Sequence, residues 1–306
     1  MNAKGISNRS LQILRWNVKA LMLRLCTRWR AKHADRKWCN YAVSKGRFSG
    51  MRLERLKDDW ESLARRDALN AILTDDSKSE GRWDPAEFMA TGEAEIETVM
   101  RHLAGLNCAL DFAGTALDFG CGVGRLSQAI VRRFNACVGI DISEEMIQKA
   151  NQLNRSPHCR YVVNTDERLP FADASFSFVY SNIVLQHVPR RFAMGYLREF
   201  VRVLAPGGVL VFGVQDSFAA PDFSSLLVRM RHVLHLGSRL NAFFGRGGDM
   251  RMHCLPERIV RDCLGKARIV DIQLTNTAAR DFNGRLVYLS KAPGTGYVGR
   301  QYCVVK

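Results

Sequence analysis

The spacing of apolar positions changes period as the chain proceeds. Over residues 10–32, Leu11, Leu14, Val18, Leu21, Met22, Leu25 and Trp29 recur at helical spacing, with Arg15, Lys19, Arg24, Arg28 and Arg30 flanking them; Ile13, Trp16 and Leu23 fall off the stripe. Residues 51–73 repeat a helical pattern with Trp60 and Leu63 on one side. A second helix over about 93–106 groups Ile96, Val99, Met100 and Leu103. Between them, Thr74 to Pro85 is a polar loop punctuated by Gly81 and Pro85, and Glu87 to Gly92 leads into the second helix. This pattern predicts a helical cap over 51–110.

From residue 114 the apolar runs shorten and alternate with helical segments. Strands are expected at 114–119, 137–141, 160–163, 175–181 and 209–213, with helices at 124–135, 143–153 and 189–204. Ser143 is a natural N-cap, and Glu144 and Glu145 complement the positive end of its helix. Strands and helices alternating at this rhythm predict an α/β, doubly wound, mostly parallel sheet. The rhythm breaks over 216–255, where a helical stretch (about 223–236) reads as an insertion above the strand ends, the place of the ligand crevice in such sheets. It resumes with a helix at 256–267 and strands at 268–274 and 285–290, whose short link implies an antiparallel pair. Seven strands result, in a domain spanning 111–291 that follows an arm (1–50) and the cap. Residues 292–306, rich in glycine, read as a loosely attached tail.

Composition adds one asymmetry. A hydrophobic share of 47% with 25% charged residues describes a globular chain, and no apolar run approaches the ~18 residues of a membrane span. Residues 1–50 hold twelve Lys and Arg against the single acid Asp35, so this arm carries most of the +15 net charge. For residues 10–32 the readings are contact with an anionic membrane surface, an organellar targeting peptide, or an arm packed on the domain. Arginines interrupt every candidate apolar core, which excludes a secretory signal, and the case for nucleic acid rests on charge alone. The nine cysteines are scattered with no CxxC pair, as expected of free thiols in a reducing, cytoplasmic setting.

The stretch Ala116–Leu126 carries the chemistry. Its apolar run ends in an acid, Asp118, and three alternating glycines, Gly120, Gly122 and Gly124, before an amphipathic segment: a strand, a tight turn and a helix start. A nucleoside triphosphate loop needs Gly-Lys-Ser/Thr at this point, whereas Gly124 is followed by Arg125-Leu126. A dinucleotide loop needs GxGxxG, and Asp118 would repel its phosphate but suit an ammonium group. S-adenosylmethionine (SAM) carries an ammonium, a ribose diol and a sulfonium, and no phosphate. Asp141 closes the next strand, placed to accept both hydrogens of a ribose diol.

Four motifs occur in order: Asp118-Phe-Gly-Cys-Gly-Val-Gly124, Val138-Gly-Ile-Asp-Ile-Ser143, Leu169-Pro-Phe-Ala-Asp-Ala-Ser-Phe176 and Leu204-Ala-Pro-Gly-Gly208. Together they resemble a class I SAM-dependent methyltransferase of the broad type 11 subgroup, over about residues 83–291. The resemblance implies that Asp118 and the loop Gly120, Cys121, Gly122 and Gly124 hold the methionine part of SAM, with Asn182 beside it. It assigns the ribose to Asp141 and the adenine pocket to Ile142 and Met146. Thr165-Asp166 stands where the family often has Asp-Ala, so Asp166 or the Thr165 hydroxyl takes the adenine amino group; two residues capping a strand end are the alternative. Ala90, Thr91, Gly92 and Trp83 resemble the family's approach to the cofactor from the cap, with helix capping and core packing as the alternative. His187 follows the fourth strand and is a candidate general base, with a hydrogen-bonding histidine of the pocket wall as the alternative.

No metal is expected. His232 and His235 stand three apart without a third ligand, and His253-Cys254 reads as packing. Asp281-Phe-Asn283-Gly reads as a turn. The expected activity is in-line methyl transfer from SAM to a small-molecule acceptor. A non-catalytic SAM-binding protein, an RNA methyltransferase using the basic arm and a nicotinamide oxidoreductase are the competing readings.

Overall fold

The computed structural model describes residues 53–219, 252–279 and 282–306. The amphipathic arm at 10–32, the helical stretch at 223–236 with His232 and His235, and Asp281 lie outside the described residues.

A single eight-stranded sheet forms the centre, built from β1 (Thr115–Phe119), β2 (Ala136–Asp141), β3 (Cys159–Val163), β4 (Phe176–Ser181), β5 (Leu204–Phe218), β6 (Arg268–Thr275), β7 (Tyr288–Leu289) and β8 (Tyr297–Val305). Their spatial order is β3-β2-β1-β4-β5-β8-β6-β7. The first five strands pair in parallel, and β8 pairs antiparallel with both β5 and β6. Six helices accompany them among the described residues: α1 (Leu53–Ile72), α2 (Pro85–Gly105), α3 (Arg125–Ile130), α4 (Glu144–Leu153), α5 (Arg190–Val203) and α6 (Glu257–Leu264).

Strand alternation divides the apolar side chains between two cores. Leu117, Val179, Leu210 and Phe212 pack with Phe192, Leu197 and Phe200 of α5 and with Val260 and Leu264 of α6. Ala116, Cys137, Phe178, Tyr180, Val209 and Val211 face the other side, against Ile96, Val99, Met100 and Leu103 of α2 and Leu126 and Ile130 of α3. A third cluster joins α1, Trp83 and Phe88 to Val123 and Met146.

Local chemistry adjusts the expected boundaries. The second cap helix starts at Pro85 rather than near residue 93, because Asp84 accepts a hydrogen bond from the Glu87 N–H and proline suits the first helical position. α1 is broken at Asp67, whose backbone is extended. Its carboxylate caps the second half through the Asn70 N–H and also accepts from the Gly81 N–H at 2.9 Å, which ties down the loop that follows. α3 ends at Ile130, five residues before the expected stop, in a run of turns. The expected strand at 285–290 shortens to β7, which pairs antiparallel with β6 as expected.

The largest correction concerns residues 292–306. They are not a loose tail: β8 lies between β5 and β6 and is buried along most of its length. Tyr302 is fully buried and stacks on Phe212 with ring centroids 5.1 Å apart. The glycines at 294, 296 and 299 lead into a segment, Gln301-Tyr-Cys-Val-Val305, with the bulky, β-branched character of a strand.

Truncation after residue 296 is therefore expected to abolish cooperative thermal unfolding rather than trim a flexible end. Tyr302→Ala should cost about 3–5 kcal/mol in a denaturant titration, the range for deleting a large buried aromatic; a loss below about 1 kcal/mol would contradict this placement of β8.

Candidate active site

A cavity opens at the C-terminal ends of β1, β2 and β4. The glycine loop forms its floor, the β2–α4 junction one side, and α1 a wall above it. Backbone of Gly120 and Gly122 lines the cavity. Gly122 has φ +52°, in the left-handed region that glycine tolerates, so its N–H can turn towards Asp141. Asp141 Oδ2 accepts that N–H at 2.9 Å, and its Oδ1 accepts the Ser143 N–H at 2.9 Å. Burial raises the Asp141 pKa, while the hydrogen bonds from Ser143, Gly122 and Ile142 oppose the rise. The carboxylate is thus held by two elements in one orientation on the cavity wall. Ile142 and Met146 line the same side.

The helix behind this wall is capped twice. Ser143 Oγ accepts the Met146 N–H, and Glu61 of α1 accepts the Glu144 N–H at 2.6 Å and the Glu145 N–H at 3.3 Å. Lys57 pairs with Glu144. A carboxylate at a helix N-terminus satisfies orphan N–H groups and suits the helix dipole. Glu61 therefore fastens the cap to the pocket helix.

Several site residues expected from the motifs lie elsewhere. Thr165 and Asp166 are exposed and off the wall. Asn164, one residue earlier, lines the cavity instead; its N–H donates to the Asp141 carbonyl and its Nδ2 to the Asp166 carbonyl. Cys121 and Gly124 are buried behind the loop, and burial pushes the Cys121 thiol up. Asp118 does not reach the wall either. Its Oδ2 accepts from Ser127 Oγ at 2.6 Å, its Oδ1 has no partner among the described residues, and burial pushes its pKa up to about 7.

Gly92 serves packing rather than ligand approach. A Cβ there would lie 2.3 Å from the Arg125 carbonyl, so glycine lets α2 lie against α3. Trp83 is likewise structural, buried on Phe88 with its Nε1 donating to the Leu73 carbonyl. Asn182 is buried beneath the cavity and donates through Nδ2 to Glu95 Oε1 at 2.8 Å.

Glu95 was not foreseen. It is fully buried and also accepts from Tyr180 Oη and Arg125 Nη2, both at 2.8 Å. Its signal was present: Gly92, Glu95, Ile96, Val99, Met100 and Leu103 share one helical face, so an acid there must be buried and partnered.

At the other end of the cavity stand Trp60, Ile183, Val184, Gln186, His187, Met252 and Phe282. His187 meets the Trp60 ring edge-on at 5.6 Å and lies 3.2 Å, Nε2 to Nε2, from Gln186. The described lining contains one carboxylate, Asp141, and no Lys or Arg. Among the described residues, no group of three His, Cys, Asp or Glu side chains is placed to hold a metal.

Comparison with known proteins accords with this geometry. Residues 117–212 match the family described as methyltransferase domain. This part of the chain is similar to the class I SAM-dependent methyltransferases. The methyltransferase domain is 40% identical over 112 residues to malonyl-[acyl-carrier protein] O-methyltransferase of Erwinia pyrifoliae, covering 36% of this chain and 40% of that protein. It is 31% identical over 168 residues to 27-O-demethylrifamycin SV methyltransferase of Amycolatopsis mediterranei, covering 51% and 57%. The chain thus spans roughly half the length, or less, of these relatives. Magnesium protoporphyrin IX methyltransferase of Synechocystis PCC 6803 with bound SAM superposes with a TM-score of 0.52 at 17% identity, over 85% of this chain and 100% of that one. That likeness establishes the shared fold.

The raised pKa of Asp118 has a measurable sign. The unfolded chain ionises this group near pH 4 and the folded domain near pH 7, so the folded state holds more protons between those values. This contribution to stability is present at pH 4 and is lost as pH rises to 7, by on the order of 4 kcal/mol. Asp118→Asn should flatten that part of the stability-pH curve in urea titrations; an unchanged slope would reject the shift.

Proposed function

We propose that the protein transfers a methyl group from SAM to a small-molecule acceptor. The observation that carries the reading is the charge of the wall: a carboxylate pinned in place by two backbone N–H groups, with no Lys or Arg among the described lining residues. Such a wall suits a cationic ligand bearing a diol and offers a diphosphate no cationic partner. It thereby disfavours the nicotinamide reading.

The residues present fit SAM. Asp141 holds the ribose diol, Ile142 and Met146 contact the adenine, and Asn164 offers its side-chain amide at the strand end. Gly120 and Gly122 let the backbone lie against the methionine chain. Bound SAM supplies an electrophilic methyl group. The protein's part is to align the acceptor with it and to keep water out, which Leu56, Trp60, Ile183, Val184 and Phe282 do as apolar walls.

The relatives' printed substrates, a malonyl-acyl carrier protein and a rifamycin, support an acceptor presented as a small organic group. No helix among the described residues is long and apolar enough to cross a membrane. The free thiols of the described residues favour a reducing, cytoplasmic setting. The basic amphipathic pattern of residues 10–32 supports peripheral contact with an anionic membrane.

Calorimetry should show SAM binding and no NAD binding. Asp141→Ala should weaken SAM by on the order of a hundredfold, the loss of two hydrogen bonds to a charged group, with native dichroism retained at a lowered melting temperature, since the Gly122 and Ser143 N–H groups lose their acceptor. Tight NAD binding without SAM binding would overturn the proposal; SAM binding without methyl transfer from labelled SAM into a cell extract would leave a non-catalytic binder. Vesicles containing phosphatidylserine should pellet the full chain at low salt and release it at high salt, and absence of pelleting would discard the membrane contact.

A further inference from the structure

Among the seven free thiols of the described residues, Cys108 and Cys303 meet across 195 positions of sequence. Cys108 Sγ lies 3.8 Å from Cys303 Sγ, a thiol–thiol hydrogen bond in which either sulfur can donate. Cys303 sits midway along β8, buried, in register with Val211 of β5 and Asp271 of β6. Cys108 is half-buried and follows the end of α2, just past Asn107 with its left-handed backbone (φ +54°).

The same corner carries a second tie. His102, in the last turn of α2, places its Nε2 2.8 Å from Asp271 Oδ2 and its ring 4.7 Å from that of Tyr288. The end of α2 is thus docked on β6 and β7 without help from the thiols, which keeps the two sulfurs within reach of each other. A disulfide requires them to close from 3.8 Å to about 2.05 Å. Residues 108–111 belong to neither helix nor strand, so the approach can come from Cys108 and leave the β8 ladder intact. Cys137 and Cys159 also face each other, between β2 and β3, but both are buried and both belong to the ladder.

We propose that Cys108 and Cys303 form a redox latch, which a hydroperoxide closes into a disulfide that locks β8 into the sheet. Burial and the neighbouring Cys108 push the Cys303 thiol up, so the half-buried Cys108 reacts first. With hydrogen peroxide, Cys108 gives up its proton and its sulfur attacks one peroxide oxygen. The O–O bond breaks, and the leaving oxygen departs with that proton as water, leaving a sulfenic acid on Cys108. The Cys303 sulfur then attacks the sulfenic sulfur. The S–O bond breaks, and the hydroxide leaves with the Cys303 proton as a second water. Two electrons pass from the two thiols to the peroxide.

The link closes residues 108–303 into one covalent loop that holds β1 to β7 and most of β8. So long a loop restricts the unfolded chain, and the bond fastens the C-terminal strand to the cap helix. Neither cysteine lines the cavity, so the latch leaves the cofactor site open. In a reducing setting the pair rests as thiols. The inference goes beyond the methyltransferase reading and does not rest on it.

The test exposes the reduced full chain to excess hydrogen peroxide under native conditions, followed by alkylation, digestion without reductant and mass spectrometry. A peptide joining Cys108 to Cys303 should be the main cross-link, and dithiothreitol should release it. Against Cys108→Ser treated alike, the oxidised chain should melt higher by on the order of 5 °C, the shift a typical disulfide gives a domain of this size. Cys108→Ala provides the same control if serine there does not fold. No cross-link, a main cross-link through any other pair, or overoxidation of Cys108 to the sulfinic acid overturns the proposal. So does a Cys108–Cys303 link whose melting temperature equals or falls below that of the treated variant.

Discussion

A single buried carboxylate holds the candidate site in shape. Glu95 has no access to water and accepts from Arg125, Tyr180 and Asn182. A charge taken out of water is tolerated only when fully partnered, so these groups must arrive together. They come from the cap helix, the helix after the glycine loop and the end of β4. The missing side chain at Gly92 lets the first two approach closely enough for the pair to form. The loop is thereby anchored from behind. The Gly122 N–H is left to orient Asp141, and Gly120 and Gly122 line the cavity.

Most of the sheet was legible in the pattern of apolar residues, and the reason is burial on both faces. β1, β2 and β4 are short apolar runs bounded by glycines, acids and prolines, and they can hardly be anything else; β5 has such a run at 209–212 but extends beyond it at both ends. β8 escaped because three glycines in residues 294–299 masked a strand whose partners lie far away in sequence. Glycine content records local freedom, whereas the strand is stabilised by non-local pairing.

At the site, positions fixed by the backbone or by a strand end were legible: Gly120, Gly122, Asp141, Ile142 and Met146 all line the cavity. Residues whose role depends on where a side chain points were not. Asp118 sits in the loop motif, but its pleat direction turns it to Ser127 beneath the loop. Thr165 and Asp166 have suitable chemistry one position too late, and Asn164 occupies the wall. Glu61 reads as one more polar residue of an amphipathic helix; only the fold brings it to the start of α4.

The position of β8 also orders assembly. β5 and β6 are neighbours in the chain but not in the sheet, because a strand that follows both must slide between them. Until it does, β5 has an open edge and the β6–β7 hairpin has nothing to join. Such long-range closure slows folding, and an apolar strand edge left unpaired in the interval invites pairing with another chain. The half-formed domain is therefore most vulnerable at β5, on the side of the sheet away from the glycine loop, and a chaperone or a high dilution would matter most in that interval.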